Sequence, residues 1–243
     1  MNGISTISGG ATEDSVIPKI SSILFDMDGV LINSEPLHEF TLLELSERFG
    51  RRFESEAELQ QFKGLPEASI ASLLKKKFPA VTLANDEITK LRIKDIRANF
   101  QVVQMIEGAL DFVKRCKSAG FRLGLTTSAS GAVQQLAFET FGLAKYFDAI
   151  ITGEDIQRGK PDPEPYLLTA AKLAQPTSDC MVVEDAVSGV MSGKAAGCFV
   201  VGLTTSFMAE DLVNAGADLV FSSFAGLGSK VFNSQQSSRS AIG

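Results

Sequence analysis

Short apolar runs recur along the chain at residues 23–25, 121–127, 149–152, 180–183, 199–203 and 219–221. Runs of this length without strict alternation are typical of strands buried on both faces, as in a parallel sheet. Between them apolar residues return at helical spacing. Ala109, Phe112, Val113 and Cys116 form one such face, and Val133, Leu136, Ala137 and Phe141 another. Strand and helix in turn predict an α/β fold, a parallel sheet with right-handed crossovers.

One interval breaks this rhythm. From Asp28 to about Glu107 the pattern shows no convincing strand, only amphipathic helices such as Ile70, Leu73, Leu74 and Phe78, or Ile93, Ile96 and Phe100. The interval is longer than one crossover, so residues 35–103 are expected to form an inserted helical domain. The α/β core then comprises 20–34 and 104–232, with loose tails at 1–19 and 233–243. Ligands of open parallel sheets bind at the carboxyl ends of the strands, which places such an insertion over the site as a lid.

The composition narrows the choice of partners. The 243 residues are 44% apolar, enough for a full core. Acidic residues number 29 against 23 basic, a formal charge of -6 with no Lys/Arg block, which argues against a nucleic-acid surface. No apolar stretch is long enough for a bilayer, and residues 1–19 lack the basic-then-apolar layout of a secretory signal. Cys116, Cys180 and Cys198 are odd in number and lie in apolar segments, which reads as buried thiols in a reducing compartment, the cytoplasm by default.

The chemistry gathers where strands end. Asp26 and Asp28 follow the first run, two residues apart and on one face of an extended segment. Two anions so close repel unless a cation lies between them or one keeps its proton. The second run ends in Thr126-Thr127, and Ser128-Ala129-Ser130-Gly131 opens a helix whose free N–H groups suit a phosphate. In Gly159-Lys160-Pro161-Asp162-Pro163 the proline stiffens the chain beyond Lys160, while Asp162 and Pro163 resemble a helix cap and first residue. Glu184 and Asp185 end the buried run 180–183. Taken singly, these segments also fit an Asp-Gly turn, an ordinary hydroxyl cap and a solvated lysine. Taken together, they gather carboxylates and an ammonium at neighbouring strand ends. Such a cluster accepts a phosphoryl group only with a hard, oxygen-ligated dication, for which Mg²⁺ is the natural choice.

In this order Asp26-Met27-Asp28-Gly29-Val30-Leu31, Thr127, Lys160-Pro161 and Glu184-Asp185 resemble the four motifs of the haloacid dehalogenase-like superfamily, over nearly the whole chain. The insertion after the first motif, Ser34-Glu35-Pro36-Leu37-His38, and the stretch 183–189 are similar to its β-phosphoglucomutase-like phosphatase branch. The resemblance implies a Rossmann-like core with a helical cap. It further implies that Asp26 attacks phosphorus to form an aspartyl-phosphate, while Asp28 protonates the leaving oxygen and then activates water. Thr127, with the N–H groups near Ser128 and Ala129, would bind the phosphoryl group, and Lys160 would stabilise its charge. Mg²⁺ would rest on Asp26, the Asp28 carbonyl oxygen and Asp185, with Glu184 as a direct or outer ligand. A carboxylic acid at Asp28 suits an alkoxide leaving group, which needs a proton, and not a halide, which does not.

By the same resemblance the lid loop is Lys63-Gly64-Leu65-Pro66-Glu67, and Glu67 stands where the mutase carries a basic residue for a distal phosphate. An anion there repels a second phosphate, by about 1 kcal/mol or more if partly buried. His38, the only histidine, matches a hinge position that can contact the acid/base Asp. Lys63, Glu67 and His38 are therefore expected at the substrate. The expected activity is a Mg²⁺-dependent phosphatase, acting as a monomer on a small phosphorylated sugar or polyol, with neither nucleic acid nor membrane as partner. The alternatives are a hexose-phosphate mutase and, less in keeping with the intact motifs, a catalytically silent binding module.

Overall fold

The computed structural model describes residues 16–63, 65 and 67–240. In chain order the elements are β1 (Ser22–Phe25), β2 (Ile32–Asn33), α1 (Glu35–Arg48), α2 (Glu56–Gln60), α3 (Glu67–Lys77), α4 (Asn85–Ala98), β3 (Gln104–Met105), α5 (Ala109–Ser118) and β4 (Arg122–Thr126). There follow α6 (Gly131–Phe141), β5 (Ala149–Ile151), α7 (Glu164–Lys172), β6 (Cys180–Glu184), α8 (Val187–Ala195), β7 (Phe199–Leu203), α9 (Ala209–Asn214), β8 (Leu219–Phe221) and α10 (Phe224–Ser240).

The main sheet has the order β5-β4-β1-β6-β7-β8, every pair parallel. The chain leaves β1 at the centre, builds β4 and β5 outward on one side, then returns to build β6, β7 and β8 on the other. The order therefore reverses at the carboxyl end of β1, where a crevice forms in such sheets. Register brings the motif residues to one level, because Phe25 lies opposite both Leu125 and Val183. Asp26, Thr126 and Glu184 follow these three by one residue.

Alternation along each strand sorts the core. Ile23, Phe25, Leu125 and Val183 pack with Phe112 and Val113 of α5, Phe138 of α6 and Leu227 of α10. Leu24, Val182 and Val200 face the other way, against Tyr166 of α7, Leu173 just after it, Val190 of α8 and Leu212 of α9. The strands are covered on both faces, which is why their sequences read as unbroken apolar runs.

Helices α1–α4 bury a separate cluster, including Leu45, Phe53, Ile70, Leu74, Phe78 and Ile88. The interval 28–107 does contain strands: β2 and β3 pair antiparallel, Ile32 with Met105 and Asn33 with Gln104. Two residues carry no legible periodicity, so the sequence could not announce them. They bring the outgoing and returning chain side by side at the base of the helical insertion.

Other boundaries shift for local reasons. The runs 121–127 and 149–152 keep strand pairing only over β4 and β5. β6 instead extends through Glu184, whose oxygens are all satisfied in place. Helix α7 starts at Glu164, after Pro163, because the Asp162 carboxylate accepts the Glu164 N–H at 2.9 Å. Of the loose tail expected over 233–243, residues 241–243 lie outside the described residues and 233–240 continue α10. That stretch has no Gly or Pro and extends a helix anchored by buried Phe224, Leu227 and Val231. Residues 1–15 of the expected amino-terminal tail lie outside the described residues. All three cysteines are buried and free. Among the described residues no helix is long and apolar enough to cross a membrane.

Candidate active site

The end of β1 delivers Asp26 into a buried ionic cluster. Lys160 Nζ lies 2.6 Å from Asp26 Oδ1 and 2.6 Å from Glu184 Oε1, and donates at 3.2 Å to the Thr126 carbonyl oxygen. One ammonium thus ties together the ends of β1, β4 and β6. The Lys160-Pro161 peptide is cis. Tyr166 of α7 lies beneath, donating to Glu184 Oε1 at 2.8 Å, with its ring centre 5.1 Å from Lys160 Nζ. The other Glu184 oxygen accepts the N–H groups of Asp185 at 3.0 Å and Ala186 at 3.1 Å. Gly189 lets α8 close on this carboxylate, since a Cβ at that position would overlap it.

Charge balance in the cluster is incomplete. Burial works against the Lys160 ammonium, but Asp26 and Glu184 outweigh it and hold its pKa above the usual lysine range. Asp26 is pushed up to about 7, first by burial, with Lys160 opposing and the charges of Glu184 and Asp28 adding to the rise. Burial, then the charges of Glu184 and Asp26, raise Asp185 well above the carboxylate range. Oxygens of Asp26, Glu184 and Asp185 lie within 4.8 Å of one another. A buried set of hard oxygen donors with excess negative charge is what a small dication requires, so these residues fit Mg²⁺. Glu184 is fully engaged by Lys160, Tyr166 and backbone N–H groups, which leaves Asp26 and Asp185 as the carboxylates free to ligate.

Asp28 lies outside this cluster and joins a second network leading into the insertion. Its Oδ1 accepts from Ser34 Oγ at 2.5 Å and stands 3.6 Å from His38 Nε2. Burial would raise the Asp28 pKa, but the His38 and Ser34 hydrogen bonds outweigh it and leave it below the ordinary value. His38 Nδ1 is 3.3 Å from Arg92 Nη2, and Arg92 holds Glu67 through Nε at 2.9 Å and Nη2 at 3.1 Å. Glu67 is therefore not a bare anion: a buried arginine offsets it.

Between the insertion and the strand ends lies a cavity of about 350 Å³, lined by Asp26, Asp28, His38, Lys63, Glu67 and Arg92 among others. That volume suits a small metabolite. Ser128, Ala129 and Ser130 form its wall at the end of β4, whereas Thr127 is buried behind them. The Ala129 N–H, expected to meet a phosphoryl group, donates to Thr127 Oγ1 at 3.0 Å. Lys63 turns towards the core, its Nζ 5.7 Å from the Phe207 ring centre.

Three residues of these networks were given no role from sequence. Arg92 occupies a buried helical position between Ile88 and Ile96, and an arginine in an apolar stripe is a legible signal. Tyr166 similarly shares the buried face of α7 with Thr169 and Ala170. Ser34 opens the stretch 34–38 that carries the family resemblance, which by itself gives this serine no role.

A family model described as haloacid dehalogenase-like hydrolase matches residues 23–203, and the chain belongs to that family. It is 32% identical over 193 residues to the validoxylamine A 7'-phosphate phosphatase of Streptomyces hygroscopicus subsp. limoneus, covering 79% of this chain and 89% of that protein. It is 31% identical over 196 residues to hexitol phosphatase A of Escherichia coli, covering 76% and 83% respectively. Among solved structures, CbbY from Rhodobacter sphaeroides in complex with phosphate superposes with a TM-score of 0.76 at 28% identity, covering 86% of this chain and 96% of that one.

Proposed function

We propose that the chain is a Mg²⁺-dependent phosphatase of a small phosphorylated sugar or polyol, working through an aspartyl-phosphate on Asp26. The observation that carries this reading is the Lys160 bridge, 2.6 Å from both Asp26 and Glu184 and adjoining Asp185 at the carboxyl ends of neighbouring strands. The names of the related phosphatases support a phosphorylated carbohydrate or polyol as substrate.

Asp26, Asp185 and the Asp28 carbonyl oxygen would hold Mg²⁺, which when bound offsets the acids and the charge of the phosphoryl group. Lys160 holds Asp26 Oδ1, so Oδ2 is the oxygen that attacks phosphorus. The bond from phosphorus to the sugar oxygen breaks, and Asp28 gives that oxygen its proton. Asp28 then takes a proton from the water that cleaves the acyl phosphate. At rest Asp28 is in its base form; the arriving anion raises its proton affinity, so that it takes a proton from solvent before the first step. The helices over the cavity act as a cap that keeps out bulk water.

One observation favours a hexose-phosphate mutase as the second reading: Arg92 offsets Glu67, so that carboxylate repels a distal phosphate less than a bare anion does. Glu35, Glu39 and Glu56 also line the cavity, against Lys63 and Arg92, and this balance keeps the phosphatase first. Phosphorylated hexoses and hexitols, assayed for free phosphate with and without a sugar bisphosphate, separate the two. Free phosphate without bisphosphate is expected; isomerised sugar phosphate with no free phosphate would sink the phosphatase reading.

A further inference from the structure

The loop of residues 204–208, between β7 and α9, touches Asp185, the Gly29 backbone and the insertion. Thr205 Oγ1 donates to the Gly29 carbonyl oxygen at 2.6 Å and lies 3.5 Å from Asp185 Oδ2. The Ser206 hydroxyl flanks the same Asp185 carboxylate, both lying around the point where a Gly29 Cβ would stand. Gly29 turns at φ +75°, and a Cβ there would strike Asp185 and come within 2.9 Å of Ser206 Oγ. The Gly29 backbone and the Asp185 carboxylate therefore approach each other as closely as only a glycine allows. Thr205 and Ser206 line a second cavity of about 170 Å³, which shares Asp28, Glu35 and Lys63 with the larger one. One residue on, Phe207 offers its ring to Lys63 of the insertion at 5.7 Å, within cation–π range.

We propose that Thr205 and Ser206 are positioning residues that orient Asp185 for a divalent cation, and that Phe207 of the same loop seats the cap through Lys63. Neither hydroxyl reaches the substrate cavity. Their effect passes through Asp185 and Gly29, as outer partners of metal ligands generally act. The metal half of this inference rests on the dication reading above.

The test measures Mn²⁺ binding to the purified full chain by electron paramagnetic resonance, without substrate. Thr205→Val and Ser206→Ala are each expected to weaken Mn²⁺ about tenfold, while Thr205→Ser, which keeps the hydroxyl, restores it. Unchanged Mn²⁺ affinity in both variants overturns the positioning role while leaving the dication reading standing. An unsubstituted chain that binds no Mn²⁺ overturns both. Phe207→Leu is expected to hold Mn²⁺ affinity constant and raise KM for a hexitol phosphate about two- to fivefold, with turnover of a small aryl phosphate unchanged. An equal rise in KM for both substrates, or no rise, overturns the seating role.

Discussion

Arg92 Nη2 lies 3.3 Å from His38 Nδ1, on a guanidinium that is wholly buried and bonded to Glu67. Arginine only donates, so Nδ1 is the acceptor and this network assigns the ring proton to Nε2, facing Asp28. A helix of the insertion thereby sets the tautomer beside the proposed proton carrier.

Removing the arginine strands an acid. Arg92→Met leaves Glu67 without its partner and is expected to cost about 3 kcal/mol of stability in chemical denaturation. Adding Glu67→Leu should recover most of that loss. A double variant as unstable as the single one would show that packing, and not charge, explains Arg92.

The leaving group separates two roles for His38. His38→Ala is expected to lower kcat about tenfold on a hexitol phosphate, whose alkoxide needs the Asp28 proton, and far less on an aryl phosphate, whose phenolate leaves without one. Equal losses on the two substrates would place His38 in cap packing alone.

Lys160 and Tyr166 share Glu184 Oε1 but differ in weight. Lys160→Met removes the cation between two buried acids and should abolish measurable turnover even at high Mg²⁺. Tyr166→Phe loses one hydrogen bond, about 1 kcal/mol, and should lower kcat by about fivefold with the fold intact. Wild-type rates in Tyr166→Phe would show that Lys160 and the backbone suffice to hold Glu184.

Much of this was legible beforehand, for reasons particular residues make clear. The buried runs around Leu24, Val182 and Val200 foretold the sheet because strands covered on both faces must be apolar throughout. Asp26, Lys160 and Asp185 stood out because acids and an ammonium at strand ends need a compensating purpose. Arg92 left a signal, an arginine in an apolar helical stripe, but not its partners; Tyr166 was hidden by helical context and the β2–β3 pair by its length. Glu67 was half legible, since sequence shows a carboxylate but not the arginine 25 positions away that offsets it.

Far from the site, Asp148 accepts from Lys117 Nζ at 2.7 Å and the Leu123 N–H at 2.9 Å, at the amino end of β5. Burial would raise its pKa, but Lys117 and the Leu123 N–H outweigh that and lower it. A carboxyl whose folded pKa lies below its unfolded value of about 3.9 stabilises above that value, and the contribution fades as pH falls through the folded pKa. Asp148→Asn is therefore expected to lose about 1 kcal/mol near pH 7, reduced by partial exposure, and progressively less below about pH 4. A deficit independent of pH would assign the effect to shape.

The most direct test of the central claim is acid quenching during turnover of a hexitol phosphate labelled in its phosphoryl group, followed by peptide mapping. The account predicts an acid-stable, base-labile phosphoryl group on the peptide containing Asp26, absent in Asp26→Asn together with phosphate release. Label on another residue, or phosphate release that persists unchanged in Asp26→Asn, would contradict it.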